Sequence, residues 1–316
     1  MQESRLIKRI TTGTFTLPAT ALAVCALWLI GGFADGRSWA GLAATGLTAY
    51  LLMELNNRNA LLRVRSRMVS VTYLALTAAC PALHGWDTAM VPALCLVAAY
   101  FPLFGAYQQK QTAAYVFHAF ALISAGSLCY PPLLLLLPVF CFCLAAQLRA
   151  LSWRSFWAGA AGAALPYWFV LALAVWRGNF PAVFEPVAEA FRFEPPRYAG
   201  LELWQAAAGA FVGVLSLTGI VHLLRKAYND KIRTRMLLYA ITVTEIFLLA
   251  ATALQPQHFE VLFRLLTVNS APLIAHYLTL ARSRRMTLWF VGWLVMLAAL
   301  FILNYALPCR QSLIFS

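Results

Sequence analysis

Charge is scarce in this chain. Only 11% of its 316 residues are Asp, Glu, Lys or Arg, against about 25% in a typical soluble domain. Apolar residues make up 62%, so a water-facing surface cannot be covered. Acids are the scarcest charge, with 11 Asp and Glu against 24 Lys and Arg. Catalytic signatures are missing as well. There is no H-E-x-x-H, G-x-x-x-x-G-K-[ST], G-x-S-x-G or G-x-G-x-x-G, which disfavours zincin proteases and P-loop ATPases. No D-x-D pair and no serine in a nucleophile setting occur. The seven cysteines show neither a disulfide framework nor zinc spacing. The "CFC" at 141–143 has no flanking His or carboxylate. We expect no cofactor and no metal.

What the chain has instead is long apolar runs. A helix that crosses a bilayer needs about 20 mostly apolar residues. Eleven runs qualify or come close: 11–33, 39–55, 68–83, 88–106, 112–129, 131–147, 156–176, 203–224, 236–254, 261–281 and 286–305. The run at 68–83 is short, and only "CYPP" at 129–132 separates the fifth from the sixth. A cleaved signal peptide has an apolar core of about 7–15 residues. The first run is longer, so it reads as a retained span. Nothing between the runs is long enough for a soluble domain. The fold class expected is all-α: a polytopic transmembrane bundle of about 11 spans, with residues 1–316 as a single integral membrane domain.

The surplus of bases fits this reading when the residues are placed. With the N-terminus in the cytoplasm, eighteen Lys and Arg fall in cytoplasmic segments and five in outer ones. That asymmetry follows the positive-inside rule, and the odd span count puts the C-terminus outside. The basic balance therefore needs no nucleic acid, and anionic lipid headgroups are the expected partners. Asp35, Asp87, Glu185, Glu189, Glu194, Glu202 and Glu260 all fall outside.

The longest outer connection, 177–202, has apolar Val183, Phe184, Val187 and Phe191 on one helical face. It reads as a short amphipathic helix on the membrane surface or a loop tucked over the bundle. Small residues at helical spacing, Gly209 with Gly213 and Ala158–Gly159–Gly162–Ala163, would let helices approach closely.

Ionisable residues inside spans are costly and usually face the protein interior. Glu245 lies about ten residues from the outer end of its span, roughly 15 Å deep. Thr242 and Thr252 share its face. His118, His222 and His276 lie at similar depth in the cytoplasmic halves of their spans. Asn269 and His276 share a face of the tenth span. At the outer edge, "QPQHFEVLFR" gathers His258, Glu260 and Arg264. Glu260 and Arg264 have the i, i+4 spacing of a helix ion pair. The alternative is that the three line a pocket mouth, where Arg264 would suit a phosphate or carboxylate. The candidate substrate-binding residues are Arg264, Glu245, Asn269 and His276.

Three stretches carry a resemblance: "ELNNRNALLRVRSRM" at 54–68, "SLCYPPLLLLLPVF" at 127–140 and "LRALSWRSFWAGAAGAALPYWFV" at 148–170. Together they resemble an uncharacterised family of multi-pass inner-membrane proteins from Bacteroidetes. The resemblance implies a bacterial inner membrane and assigns no catalytic residue. In outline the chain is also similar to polytopic glycosyltransferases that use polyprenyl-phosphate sugars. That likeness implies envelope biogenesis on a lipid-linked substrate, with Asp35 as general base; His258 and Glu260, read from the residues of the outer turn, are further catalytic candidates. The loop at 34–38 is much shorter than the first outer loop usual in those enzymes. A lipid or small-solute carrier using Glu245 and the intramembrane histidines is the alternative. A non-catalytic scaffold with an envelope-complex partner is the third.

Overall fold

The computed structural model describes all residues except 1–10, 12, 14, 31–35, 65, 81–82, 179–184, 186–187, 189–194, 281–288, 290 and 304–316. All regular structure among the described residues is helical. Eleven α-helices follow one another among the described residues: α1 (Thr16–Ile30), α2 (Gly36–Asn59), α3 (Met68–Ala78), α4 (Met90–Gly105), α5 (Ala113–Ser127), α6 (Leu136–Ala146), α7 (Trp153–Arg177), α8 (Leu203–Lys226), α9 (Ile232–Leu254), α10 (Phe259–Leu280) and α11 (Val291–Leu303). A helix lies over each apolar run in the sequence. Among the described residues, four are long and apolar enough to cross a membrane: α7, α8, α9 and α10. Of the others, α2 is 24 residues long but carries Arg37, Glu54 and Arg58, and the rest are shorter. Pro131 and Pro132 start a 3-10 turn that precedes α6, because proline fixes φ and offers no N–H. The surface helix expected within 177–202 falls mostly outside the described residues, as does Asp35.

The chain divides into two compact units, and it passes between them more than once. Unit 1 holds Met1–Asp87, Ala199–Lys231 and Leu266–Ser316, and unit 2 holds Thr88–Tyr198 and Ile232–Leu265.

In unit 1, α3 packs on both α1 and α2. Ser70 donates to the Ala49 carbonyl at 2.7 Å, which joins α3 to α2. The polar hinge "ELNNRNALLRVRSRM" has a clear local logic. Asn56 donates to the Ser66 carbonyl at 3.0 Å and accepts from the Leu62 N–H at 3.1 Å. One buried amide thus clasps both ends of the connector after α2. Ala60 turns the chain there with φ of 49°, a left-handed conformation uncommon outside glycine. The connector that results holds Arg63 in place.

In unit 2, α5 packs against α4 and α7, and α6 against α9. The α5–α7 seam follows from small residues. A Cβ on Gly162 would come within 2.3 Å of the Phe117 carbonyl oxygen, so only glycine permits this approach. Ser124 donates across the seam to the Ala163 carbonyl at 2.5 Å, and Ser127 meets the Tyr167 hydroxyl at 2.9 Å. Ser152 and Ser155 cap α7 reciprocally, which satisfies N–H groups that the first turn leaves open. Gly178, at φ of 67°, ends it.

Burial separates two kinds of helix. Most of α7 is exposed, whereas α10 is buried almost all round. A helix apolar on every side and exposed along its length has lipid as its natural surroundings. At one end of α7, Trp153, Phe156 and Trp157 stand exposed, and Trp176 does so at the other.

Candidate functional site

Two groups of buried polar residues stand out, one in each unit. The first, in unit 1, is built on Asp230. The turn Ala227–Asn229 follows α8, and the Asp230 N–H closes it onto the Ala227 carbonyl at 3.0 Å. The Asp230 side chain is only 2% exposed. Burying a carboxylate costs several kcal/mol unless it is paired and hydrogen-bonded. Both requirements are met. Arg63 donates from Nε at 3.1 Å and from Nη2 at 2.7 Å to Oδ1. Nε2 of His276 stands 3.1 Å from Oδ2. Three segments distant in sequence thus converge on one carboxylate.

The geometry also fixes the His276 tautomer. An ionised carboxylate only accepts hydrogen bonds, so the proton at this contact belongs to Nε2 of His276. Nδ1 then carries the lone pair when the ring is neutral. The His222 ring lies beside it, with centroids 5.8 Å apart, and packs edge-on to Tyr277 at 5.2 Å. The proximity of α8 and α10 explains this meeting. A Cβ on Gly219 would stand 2.9 Å from the Leu273 carbonyl oxygen. One turn farther along each helix come His222 and His276. Among the described residues, Nδ1 of His276 and Nδ1 of His222 have no hydrogen-bond partner.

The second group lies in unit 2. Glu245 on α9 is wholly buried. Tyr100 of α4 reaches the Thr244 side chain, next to Glu245 in the chain. The Tyr100 ring stacks on Phe104 at 5.1 Å and tilts against Phe140 at 5.9 Å. Cys143 approaches the Ala240 carbonyl at 3.8 Å. Glu245 is therefore a carboxyl set in an aromatic and aliphatic core. Its threonine neighbours bond locally: Thr242 to the Leu238 carbonyl at 2.9 Å and Thr252 to the Leu248 carbonyl at 2.8 Å.

The remaining candidates are spread along α10. His258 and Glu260 are exposed at its start, where His258 meets the Tyr130 ring edge-on at 5.6 Å. Burial pushes the Tyr130 phenol up from its ordinary value. Arg264, at 7% exposure, is buried. Glu260 and Arg264 thus sit in different surroundings despite their i, i+4 spacing. Asn269 and His276 are each 1% exposed, and Pro272 between them leaves the Val268 carbonyl without its usual helical donor. Of the three histidines at similar depth, His222 and His276 meet. His118 belongs to unit 2, is exposed, and faces its own helix, with Nδ1 2.6 Å from the Ala114 carbonyl.

Sequence reading passed over Asp230 and Arg63. The signal for Asp230 was present: it is the lone acid among five bases in 225–235. Among the described residues, no cluster of three or more His, Cys, Asp or Glu is arranged to hold a metal ion. No protein-family model, no curated protein and no solved structure matches this chain.

Proposed function

We propose that this chain is a multi-pass protein of the bacterial inner membrane that carries or flips a lipid-linked or small amphiphilic substrate. In this reading the eleven helices are its spans, the N-terminus lies in the cytoplasm and the C-terminus outside. The positive-inside asymmetry supports the orientation. The exposed aromatic ends of α7 support membrane crossing, because Trp gathers at both membrane interfaces. Likeness to Bacteroidetes inner-membrane proteins fits the same location.

One observation carries the activity: Glu245 is fully buried halfway along an apolar helix. A carboxyl there costs stability and is a functional site by default. It would bind substrate or exchange a proton as substrate crosses. The test is flipping or uptake in proteoliposomes across a pH gradient. Glu245→Gln should abolish the pH-dependent component while protein level holds. Unchanged transport would remove Glu245 from the mechanism.

A second reading rests on Arg264. A buried guanidinium suits bidentate phosphate recognition, as an enzyme acting on polyprenyl-phosphate sugars would require, with Asp35 as its general base. Native mass spectrometry of the extracted protein would reveal a retained polyprenyl-phosphate lipid. Full activity in both Asp35→Asn and Arg264→Ala would sink this reading.

A further inference from the structure

The Asp230 cluster lies outside the Glu245 site, and neither reading above uses it as a whole. We propose that the His222–His276 pair is a proton-binding site that takes up a single proton, with Asp230 as its positioning residue.

Three observations carry this. Asp230 holds Nε2 of His276 at 3.1 Å, so the imidazole is oriented and its Nδ1 is the basic atom. That Nδ1 and the Nδ1 of His222 both lack a hydrogen-bond partner among the described residues, and His276 is 1% exposed. A buried acceptor without a donor is costly, and a proton on the pair removes part of that cost. The rings, with centroids 5.8 Å apart, are too close for both to be charged comfortably in a low-dielectric interior. The pair therefore holds one proton and repels a second.

The surroundings set the balance. Asp230 faces His276 from the turn before α9, and Arg63 faces it from the connector after α2. His222 comes from α8, where Lys226 acts on it from the last turn, and Tyr277 lies next to His276 on α10. Arg63 neutralises Asp230, so the cluster without the extra proton carries no net charge apart from Lys226. The added proton makes it cationic. Arg63 is 46% exposed at the side chain, which gives the cluster an edge toward solvent. Protons would enter from that side.

The test reads protonation directly and does not depend on transport, so it fails or succeeds separately from the Glu245 reading. The full chain would be labelled with 15N-histidine in lipid nanodiscs and titrated from about pH 4 to pH 9, a range that brackets ordinary imidazole titration. His276→Asn assigns the His276 signals. The expected result is one protonation step on the His276 ring. In His222→Gln the step should move to lower pH, since the second imidazole that shares the proton is gone. In Asp230→Asn it should move to lower pH, since the carboxylate no longer favours imidazolium. If Asp230→Asn does not fold, His222→Gln decides alone. A His276 ring that keeps one neutral tautomer throughout overturns the proposal. So does a step unmoved by His222→Gln, or two full and independent protonations, one on each ring.

Discussion

Asp230 and His276 meet at 3.1 Å across 46 residues of chain. Arg63, another 167 residues away from Asp230, closes on the other carboxylate oxygen at 2.7 Å. Such an arrangement ties together three segments that hydrophobic packing alone would leave free to slide.

Removing the base should therefore hurt most. Arg63→Ala leaves the Asp230 carboxylate, 2% exposed, buried without its cation, and breaking a buried pair in this way costs about 3–5 kcal/mol. Asp230→Ala should cost less, on the order of 1 kcal/mol, because it leaves a neutral His276 short of one acceptor and a guanidinium that is half exposed to water. Thermal unfolding in detergent would measure both. Equal losses would mean that the carboxylate is less isolated from solvent than its burial indicates.

The α5–α7 seam gives a second expectation. Gly162→Ala places a methyl group where the Phe117 carbonyl oxygen stands 2.3 Å away. Overpacking of this kind costs about 1–3 kcal/mol. Gly46→Ala on α2 has nothing within 4 Å and should stabilise by roughly 0.5–1 kcal/mol, since glycine weakens a helix interior. The two substitutions should shift the melting temperature in opposite directions.

Topology is open to chemical labelling. Cys129, exposed at the turn before Pro131, and Cys309 in the C-terminal segment are both placed outside by the eleven-span orientation. An impermeant thiol reagent added to intact spheroplasts should modify them. Protection of Cys129 and Cys309 together would reverse the orientation.

The carboxyl at 245 separates charge from shape. Glu245→Gln keeps the volume and loses the ionisable proton, whereas Glu245→Ala also opens a cavity beside Tyr100. We expect Gln to leave stability nearly unchanged and Ala to lower it by about 2 kcal/mol or more. Both should lose the pH-dependent part of transport.

Much of the helical architecture could be read from the chain, because apolar runs and helix formation answer to the same local signals. The "CYPP" turn is read from neighbours in sequence and appears where expected, and the Ser152 cap answers to equally local signals. Pairing between helices is not local. Nothing in "TGIVHLL" announces that Gly219 lies against Leu273 and so brings His222 to His276. The site shows the same limit. Glu245 could be singled out because a carboxyl in an apolar run is anomalous wherever its helix sits. Asp230 was hidden among bases, where an acid looks like ordinary loop solvation. The i, i+4 spacing of Glu260 and Arg264 suggested a surface pair, but spacing says nothing about which side of the helix is covered. Arg264 lies on the covered side.

The tryptophans of α7 have one more consequence. Trp157 and Trp176 are separated by 19 helical residues, or about 28 Å at 1.5 Å per residue. That span is close to the roughly 30 Å thickness of a bilayer's hydrocarbon interior. In the membrane topology proposed above, both rings would anchor in headgroups and α7 would act as a ruler. Short-chain lipids would force it to tilt, and long-chain lipids would have to thin around it, each at a fraction of a kcal/mol per Å of mismatch. Because Gly162 locks α7 to α5, a change in acyl length would reach the packed seam rather than stop at the lipid boundary.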